Sequence, residues 1–290
     1  MATTSLRYDP AARYEVKTRD IEYRRVDGEP LLALIYEPQG PGPFPAILNV
    51  HGGAWTNGDR FANPQFSEGL AASGVVVASI EFRCAGEHPY PSSLIDINYA
   101  TRWLKVHAAE MKGDASTVGG IGVSSGGHLI VLAAMRPHDP RYAADVVPEA
   151  PGVDATLAYA ITCWGVLDPY ARYLMAREKG NQELISNHDR YWITAEAMQE
   201  GNPVQILQRH EQVELPPCLV VHPEKDQWMT PAAGQAFVSA YNAAGGAAEL
   251  SVFPGMPHGI AGWDEPSIKN AVERMKGFIA KQVSGVPTRS

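Results

Sequence analysis

Runs of apolar and β-branched residues too short for helices recur along the chain, alternating with segments whose apolar residues return every third or fourth position. The clearest runs occupy residues 46–50, 75–80, 118–123, 159–163, 218–221 and 250–253. Strands without a polar face are buried on both sides, so the alternation predicts a mostly parallel sheet covered by helices on both faces. Ahead of these runs, residues 21–26 and 31–36 flank Asp27-Gly28-Glu29-Pro30, a turn signature that predicts a hairpin at one sheet edge. The expected architecture is α/β with eight strands, mixed at one end.

Between strands, Ser92 or Ser93 is placed to cap a helix that presents Ile97, Ala100, Trp103 and Leu104 on one face and ends near Gly113. Another helix should run from Ser125 to about Met135. Residues 167–213 break the alternation, being rich in charge and helix formers and carrying Tyr170, Tyr173, Tyr191 and Trp192 without a clear strand. They are expected to form a helical cap insertion over the sheet, inside one domain covering residues 1–290.

Composition agrees with that picture. A chain of 290 residues with 45% hydrophobic and 19% charged residues suits one large globular domain. About three quarters of its unfolded surface can be buried at this size, so neither disulfides nor a structural metal is required. Cys84, Cys163 and Cys218 form an odd, unpatterned set, which favours structural thiols in a reducing compartment. No apolar run follows a basic patch at the N-terminus, and no stretch of about 18 apolar residues occurs, so a soluble cytoplasmic protein without membrane contact is expected. A formal net charge of −8 without a basic cluster would repel phosphate backbones, which argues against nucleic acid. A second copy of the chain stays open as a partner.

Two glycine-bearing turns change the picture. Gly122-Val123-Ser124-Ser125-Gly126 fits G-x-S-x-G, the elbow in which a serine nucleophile stands between a strand and a helix. An apolar strand leads into it and a helical pattern leads out, which is the context the motif requires. Upstream, His51-Gly52-Gly53-Ala54-Trp55 follows the run at 46–50 and matches the loop type that supplies backbone donors to an oxyanion in this α/β-hydrolase arrangement.

The order of a catalytic triad in this fold is serine, acid, histidine. Of nine histidines, seven precede position 211 and His222 precedes the best acid, which leaves His258, in the loop Pro254-Gly255-Met256-Pro257-His258-Gly259. Glu224, Asp226 and Glu249 are the candidate acids. Glu249 adjoins the start of a strand, the wrong end of the sheet. Glu224 and Asp226 both follow the run at 218–221, and Asp226 is preferred as the carboxylate that accepts the Nδ1 proton and stabilises the imidazolium.

With these residues assembled, the chain resembles the hormone-sensitive-lipase-like carboxylesterases, a group that includes many small bacterial acetyl and feruloyl esterase-like proteins. The resemblance runs from about residue 20 to 282. Its most specific part beyond the triad is Phe82-Arg83-Cys84-Ala85-Gly86-Glu87-His88-Pro89-Tyr90-Pro91, similar to the family's Y-R-L-A-P-E-x-x-F-P, followed by Asp96. It implies a structural Arg83–Asp96 ion pair and oxyanion donors at the amides of Gly53, Ala54 and Ser125. Pro223 replaces the family's glycine before the acid and stiffens that loop, and the short N-terminal segment leaves residues after Leu167 to form any lid.

The expected activity is acyl transfer to Ser124 with His258 as base, followed by hydrolysis, on small esters and without a metal or organic cofactor. An amide or formamide bond is the first alternative, and a non-catalytic receptor the second. Trp55, Trp164 and Trp228 follow strands, Trp263 follows the His258 loop and Trp192 lies in the insertion, so these rings are expected at the carboxyl ends of the strands, where α/β sheets bind ligands. Trp55, Trp164 and Trp228 are the expected substrate contacts.

Overall fold

The structure, a computed structural model, describes residues 8–284. One eight-stranded sheet runs in the order β1-β2-β4-β3-β5-β6-β7-β8. Its strands are β1 (Val16–Val26), β2 (Glu29–Pro38), β3 (Phe44–Val50), β4 (Val76–Ile80), β5 (Gly113–Val123), β6 (Ala160–Cys163), β7 (Cys218–Pro223) and β8 (Ala248–Phe253). β1 and β2 form the expected antiparallel hairpin, β2 pairs antiparallel with β4, and every later pairing is parallel. This is the α/β-hydrolase fold.

The apolar runs are buried for the reason their composition implies. β3, β4, β6 and β7 are buried at every position. Successive side chains of β3 feed two cores: Ala46, Leu48 and Val50 face one, Ile47 the other. α1 (Pro64–Ala72) and α9 (Glu265–Val283) cover the Ile47 face, while α2 (Ser92–His107), α3 (Ser125–Met135) and α8 (Pro231–Ala243) cover the opposite one.

Two local expectations are corrected. α2 is capped by neither Ser92 nor Ser93: its N-cap is Pro91, without a side-chain cap bond, because the Ser93 hydroxyl turns inward to Tyr191 Oη at 2.6 Å. β5 begins five residues before position 118. Its polar start, Asp114-Ala115-Ser116-Thr117, is held by Ser116 Oγ on Asp114 Oδ1 and Thr117 Oγ1 on the Asp114 carbonyl, bonds that no apolar pattern reveals.

Between β6 and β7 lie α4 (Pro169–Glu178), α5 (Gln182–Trp192), α6 (Ala195–Glu200) and α7 (Pro203–Gln208). Each is short, and each starts on a side-chain cap: Asp168, Asn181, Thr194 and Asn202 accept from the amides of Ala171, Leu184, Ala197 and Gln205. Among the described residues, no helix is long and apolar enough to cross a membrane.

Candidate active site

β5 delivers Ser124 to the carboxyl edge of the sheet, and α3 starts one residue later. Ser124 has φ 52° and ψ −120°, a conformation costly for a residue with a side chain and held here by its surroundings. Its amide donates to the Cys163 carbonyl at 2.9 Å, and its carbonyl accepts from Val166 at 3.1 Å. The turn closes only because Gly126 has no side chain: a Cβ there would lie 2.2 Å from the His51 carbonyl oxygen.

His258 reaches Ser124 from the loop after β8, with Nε2 3.1 Å from Ser124 Oγ. On the other side of the ring, Nδ1 lies 2.6 Å from Asp226 Oδ2. The Asp226 side chain is fully enclosed, and its second oxygen accepts from the amides of Trp228 and Met229, each at 2.9 Å. Burial alone would raise its pKa, but the His258 hydrogen bond and charge, with those two amides, hold the carboxyl below the usual range. Glu224 is exposed and accepts from the Gly255 amide at 2.8 Å, tightening the histidine loop without touching the ring. Glu249 pairs with Arg274 at 2.7 Å, far along β8.

The parallel register places Val50 opposite Gly122, so the loop after β3 runs beside the elbow. His51 is buried, stacks on Phe82 at 4.1 Å, and donates from Nδ1 to the Gly52 carbonyl at 2.7 Å. Burial lowers its pKa, so it stays a neutral packing group. Gly53 adopts φ 106°, and a Cβ there would stand 1.9 Å from the Asn57 carbonyl oxygen, which makes glycine obligatory. Gly53 and Ala54 border the cavity that opens at Ser124, and Ser125, as the first residue of α3, has an amide with no acceptor within its own helix.

That cavity has a volume of about 490 Å³. Trp164 and Trp228 line it, with the Trp164 ring 6.4 Å from that of His258. Trp55 does not, and the expectation for it is corrected. Ala54 and Trp55 have φ of 52° and 63°, which turns the indole inward beneath α5. Only 1% exposed, it stacks on Tyr191 at 5.3 Å and donates Nε1 to His128 Nδ1 at 3.2 Å. Trp192 packs edge-on against Trp55, also buried. Trp263 packs on Trp164 and donates to the Pro257 carbonyl at 3.0 Å, bracing the histidine loop.

The roof comes from α4 and α5 through Arg172, Glu183, Leu184 and Asn187, none of which stood out as a site residue. A signal existed for part of it: Glu183, Leu184 and Asn187 fall on one helical face. Away from the cavity, the enclosed Asp96 carboxylate meets Arg83 at 2.9 Å, as the resemblance implied, and also Arg24 on β1 at 2.5 Å.

Residues 32–241 match the model of the BD-FAE family. The chain belongs to that family. Among curated relatives of this BD-FAE protein, Esterase LipC of Mycobacterium tuberculosis (strain ATCC 25618 / H37Rv) is 31% identical over 193 residues, 63% of this chain and 45% of LipC. Esterase LipQ of the same strain is 28% identical over 242 residues, 82% of this chain and 56% of LipQ. The chain thus spans about half the length of these relatives. In structure it is similar to a thermophilic esterase, Est2, from the Planctomycetes species Thermogutta terrifontis, with TM-score 0.72, 24% identity, and 92% of this chain and 94% of that one covered. The relatives and the structural neighbour are named as esterases, and the BD-FAE protein shares the fold of that neighbour.

Proposed function

We propose that this BD-FAE protein hydrolyses small carboxylic esters through an acyl-enzyme on Ser124. The observation that carries the reading is the unbroken line from Ser124 Oγ to His258 Nε2 and from His258 Nδ1 to Asp226 Oδ2, at 3.1 and 2.6 Å. His258 takes the hydroxyl proton as Ser124 attacks the ester carbon, and Asp226 stabilises the imidazolium that forms. The developing oxyanion turns toward the amides of Gly53, Ala54 and Ser125, each worth about 3 kcal/mol of transition-state stabilisation. His258 then protonates the departing alcohol, and a water activated by the same ring releases the acid. A cavity of about 490 Å³ walled by Trp164 and Trp228 supports short acyl chains and flat alcohols. In this reading residues 167–213 act as a cap inside a single domain, since α4 and α5 roof the cavity.

Replacing Ser124 by Ala should abolish release of p-nitrophenol from its butyrate ester while the melting temperature stays within a few degrees. Paraoxon, which phosphorylates the structurally similar Thermogutta terrifontis esterase, should add a diethylphosphoryl group at Ser124, seen by peptide mass. Wild-type-like turnover in Ser124→Ala, or labelling elsewhere, would remove the assignment.

A further inference from the structure

The roof of the cavity holds a charge that ester hydrolysis does not use. Arg172, on α4, lines both the cavity at Ser124 and a neighbouring apolar hollow of about 130 Å³, with Trp228 shared between the two walls. Only 4% of Arg172 is exposed. A guanidinium so enclosed ordinarily meets a carboxylate, because an uncompensated buried charge is costly. Here Nε reaches the ring nitrogen Nε2 of His188 at 3.4 Å, and Nη2 has no acceptor among the described residues.

His188 is no counter-ion. Its Nδ1–H donates to the Leu184 carbonyl at 2.7 Å, and burial, with the neighbouring Arg172, pushes its pKa down to about 3, so the ring is neutral. The face of Trp55 lies 5.0 Å from the guanidinium carbon and offsets part of the desolvation. Asp226 favours the charge through space, yet its oxygens are occupied by His258 and the amides of Trp228 and Met229. Glu183 lines the same cavity but is exposed, and Lys179 adds a second cation, its Nζ 5.0 Å from the Trp228 ring. With Nε engaged and Nη2 enclosed without a partner among the described residues, the guanidinium keeps donor capacity for an incoming group on the side that lines the cavity, and carboxylate geometry matches it.

We propose that Arg172 is the subsite for a carboxylate carried by the substrate, so that the esters this site prefers bear an anionic group a short distance from the scissile bond. The inference rests on the ester-hydrolase reading. The desolvation cost of the cation is met when the protein folds, before substrate arrives, so an entering carboxylate gains a charge-assisted pair in a low-dielectric site. A neutral ester gains nothing there. The carboxylate belongs either to the acyl part or to the alcohol part, and matched substrates separate the two.

The test measures kcat/KM for phenyl hemisuccinate against phenyl pentanoate, and for 3-acetoxybenzoate against methyl 3-acetoxybenzoate. In one pair the anionic member should exceed its neutral match by about 10- to 100-fold, mainly through KM, as expected of a charge-assisted hydrogen-bonded pair. The pair that responds names the side of the ester. Arg172→Met should lower that anionic-to-neutral ratio by at least tenfold. A wild-type ratio of one or less in both pairs, or an unchanged ratio in Arg172→Met, would overturn the proposal and leave Arg172 as packing on Trp55. A pH profile shifted on the neutral ester with the ratio unchanged would place Arg172 behind the Asp226–His258 pair and overturn it equally. Should Arg172→Met fail to fold, the wild-type ratios still decide. If wild type hydrolyses none of the four esters, the hydrolase reading itself falls. Calorimetry of succinate with Ser124→Ala protein then still reports on the subsite, with absence of binding counting against it.

Discussion

Asp226 and Glu224 leave the end of β7 two residues apart, and only one of them is enclosed. Asp226→Asn keeps the size of the side chain but removes the anion that fixes the imidazole tautomer, so kcat on an aryl ester should fall about 10³- to 10⁴-fold. Glu224→Gln removes only an exposed acceptor for the Gly255 amide and should change kcat less than threefold, about 0.6 kcal/mol or less. Steady-state assays of the two variants side by side check this, and the opposite ranking would transfer the role to Glu224. The candidate triad and the glycine turns were legible in the sequence because each is bound to a position along the chain: an elbow after a strand, a histidine beyond the candidate acids Glu224, Asp226 and Glu249. Arg172 was not. Nothing in Ala171-Arg172-Tyr173 distinguishes an arginine aimed into a cavity from one on a solvated helix face. Its meaning comes from the lack of a partner for Nη2 among the described residues, which only the packed structure reveals.

At the scale of elements, α5 and the loop after β3 are joined by an aromatic cluster. Trp55, Tyr191, Trp192, His128 and His188 meet at ring separations of 5.0–5.7 Å. The strand runs, the edge hairpin and the α3 start follow from apolar periodicity and turn residues, whereas the strand order comes from the structure. Where Trp55 points does not, because an αL turn at Ala54 and Trp55 reverses the side chain, and apolar character alone is equally consistent with a pocket wall and a core. The two roles differ in consequence. As a core residue, Trp55→Ala should cost about 3–5 kcal/mol of stability through the cavity it leaves. A substrate wall would instead show widened acyl-chain tolerance with little loss of stability. Urea denaturation with chain-length profiles on the same preparation separates them, and an unchanged unfolding midpoint would return Trp55 to the pocket. Trp164→Ala, by contrast, touches both the cavity and Trp263, so its effects on acyl preference and stability should appear together.

For the molecule as a whole, burial of histidine makes folding sensitive to mild acid. His128 donates from Nε2 to the Gly201 carbonyl at 2.9 Å and accepts from Trp55, and burial lowers its pKa to about 4. His188 is lowered to about 3, and His51 and His222 are lowered in the same direction by burial. In the unfolded chain each titrates near 6.5, at about the ordinary histidine value. As pH falls below that value, the unfolded state takes up protons that the native state refuses, so stability drops with falling pH. Each such histidine contributes a slope of up to about 1.4 kcal/mol per pH unit until its folded pKa is reached. Carboxylates with lowered pKa, among them Asp226, and Glu200, which is lowered to about 2, act in the same direction but mainly below about pH 5, where their unfolded counterparts protonate. The interval from pH 6.5 to 5 therefore isolates the histidines. Urea unfolding of the wild type should lose several kcal/mol between pH 7 and 5, at low enough protein concentration to avoid aggregation. His128→Gln, which keeps a donor and an acceptor without an imidazole, should be less stable at pH 7 yet show a shallower slope across the same interval. A wild-type stability independent of pH from 7 to 5 would mean that these rings are not held neutral in the fold, and the aromatic cluster beneath α5 would have to be more open to water than its burial indicates.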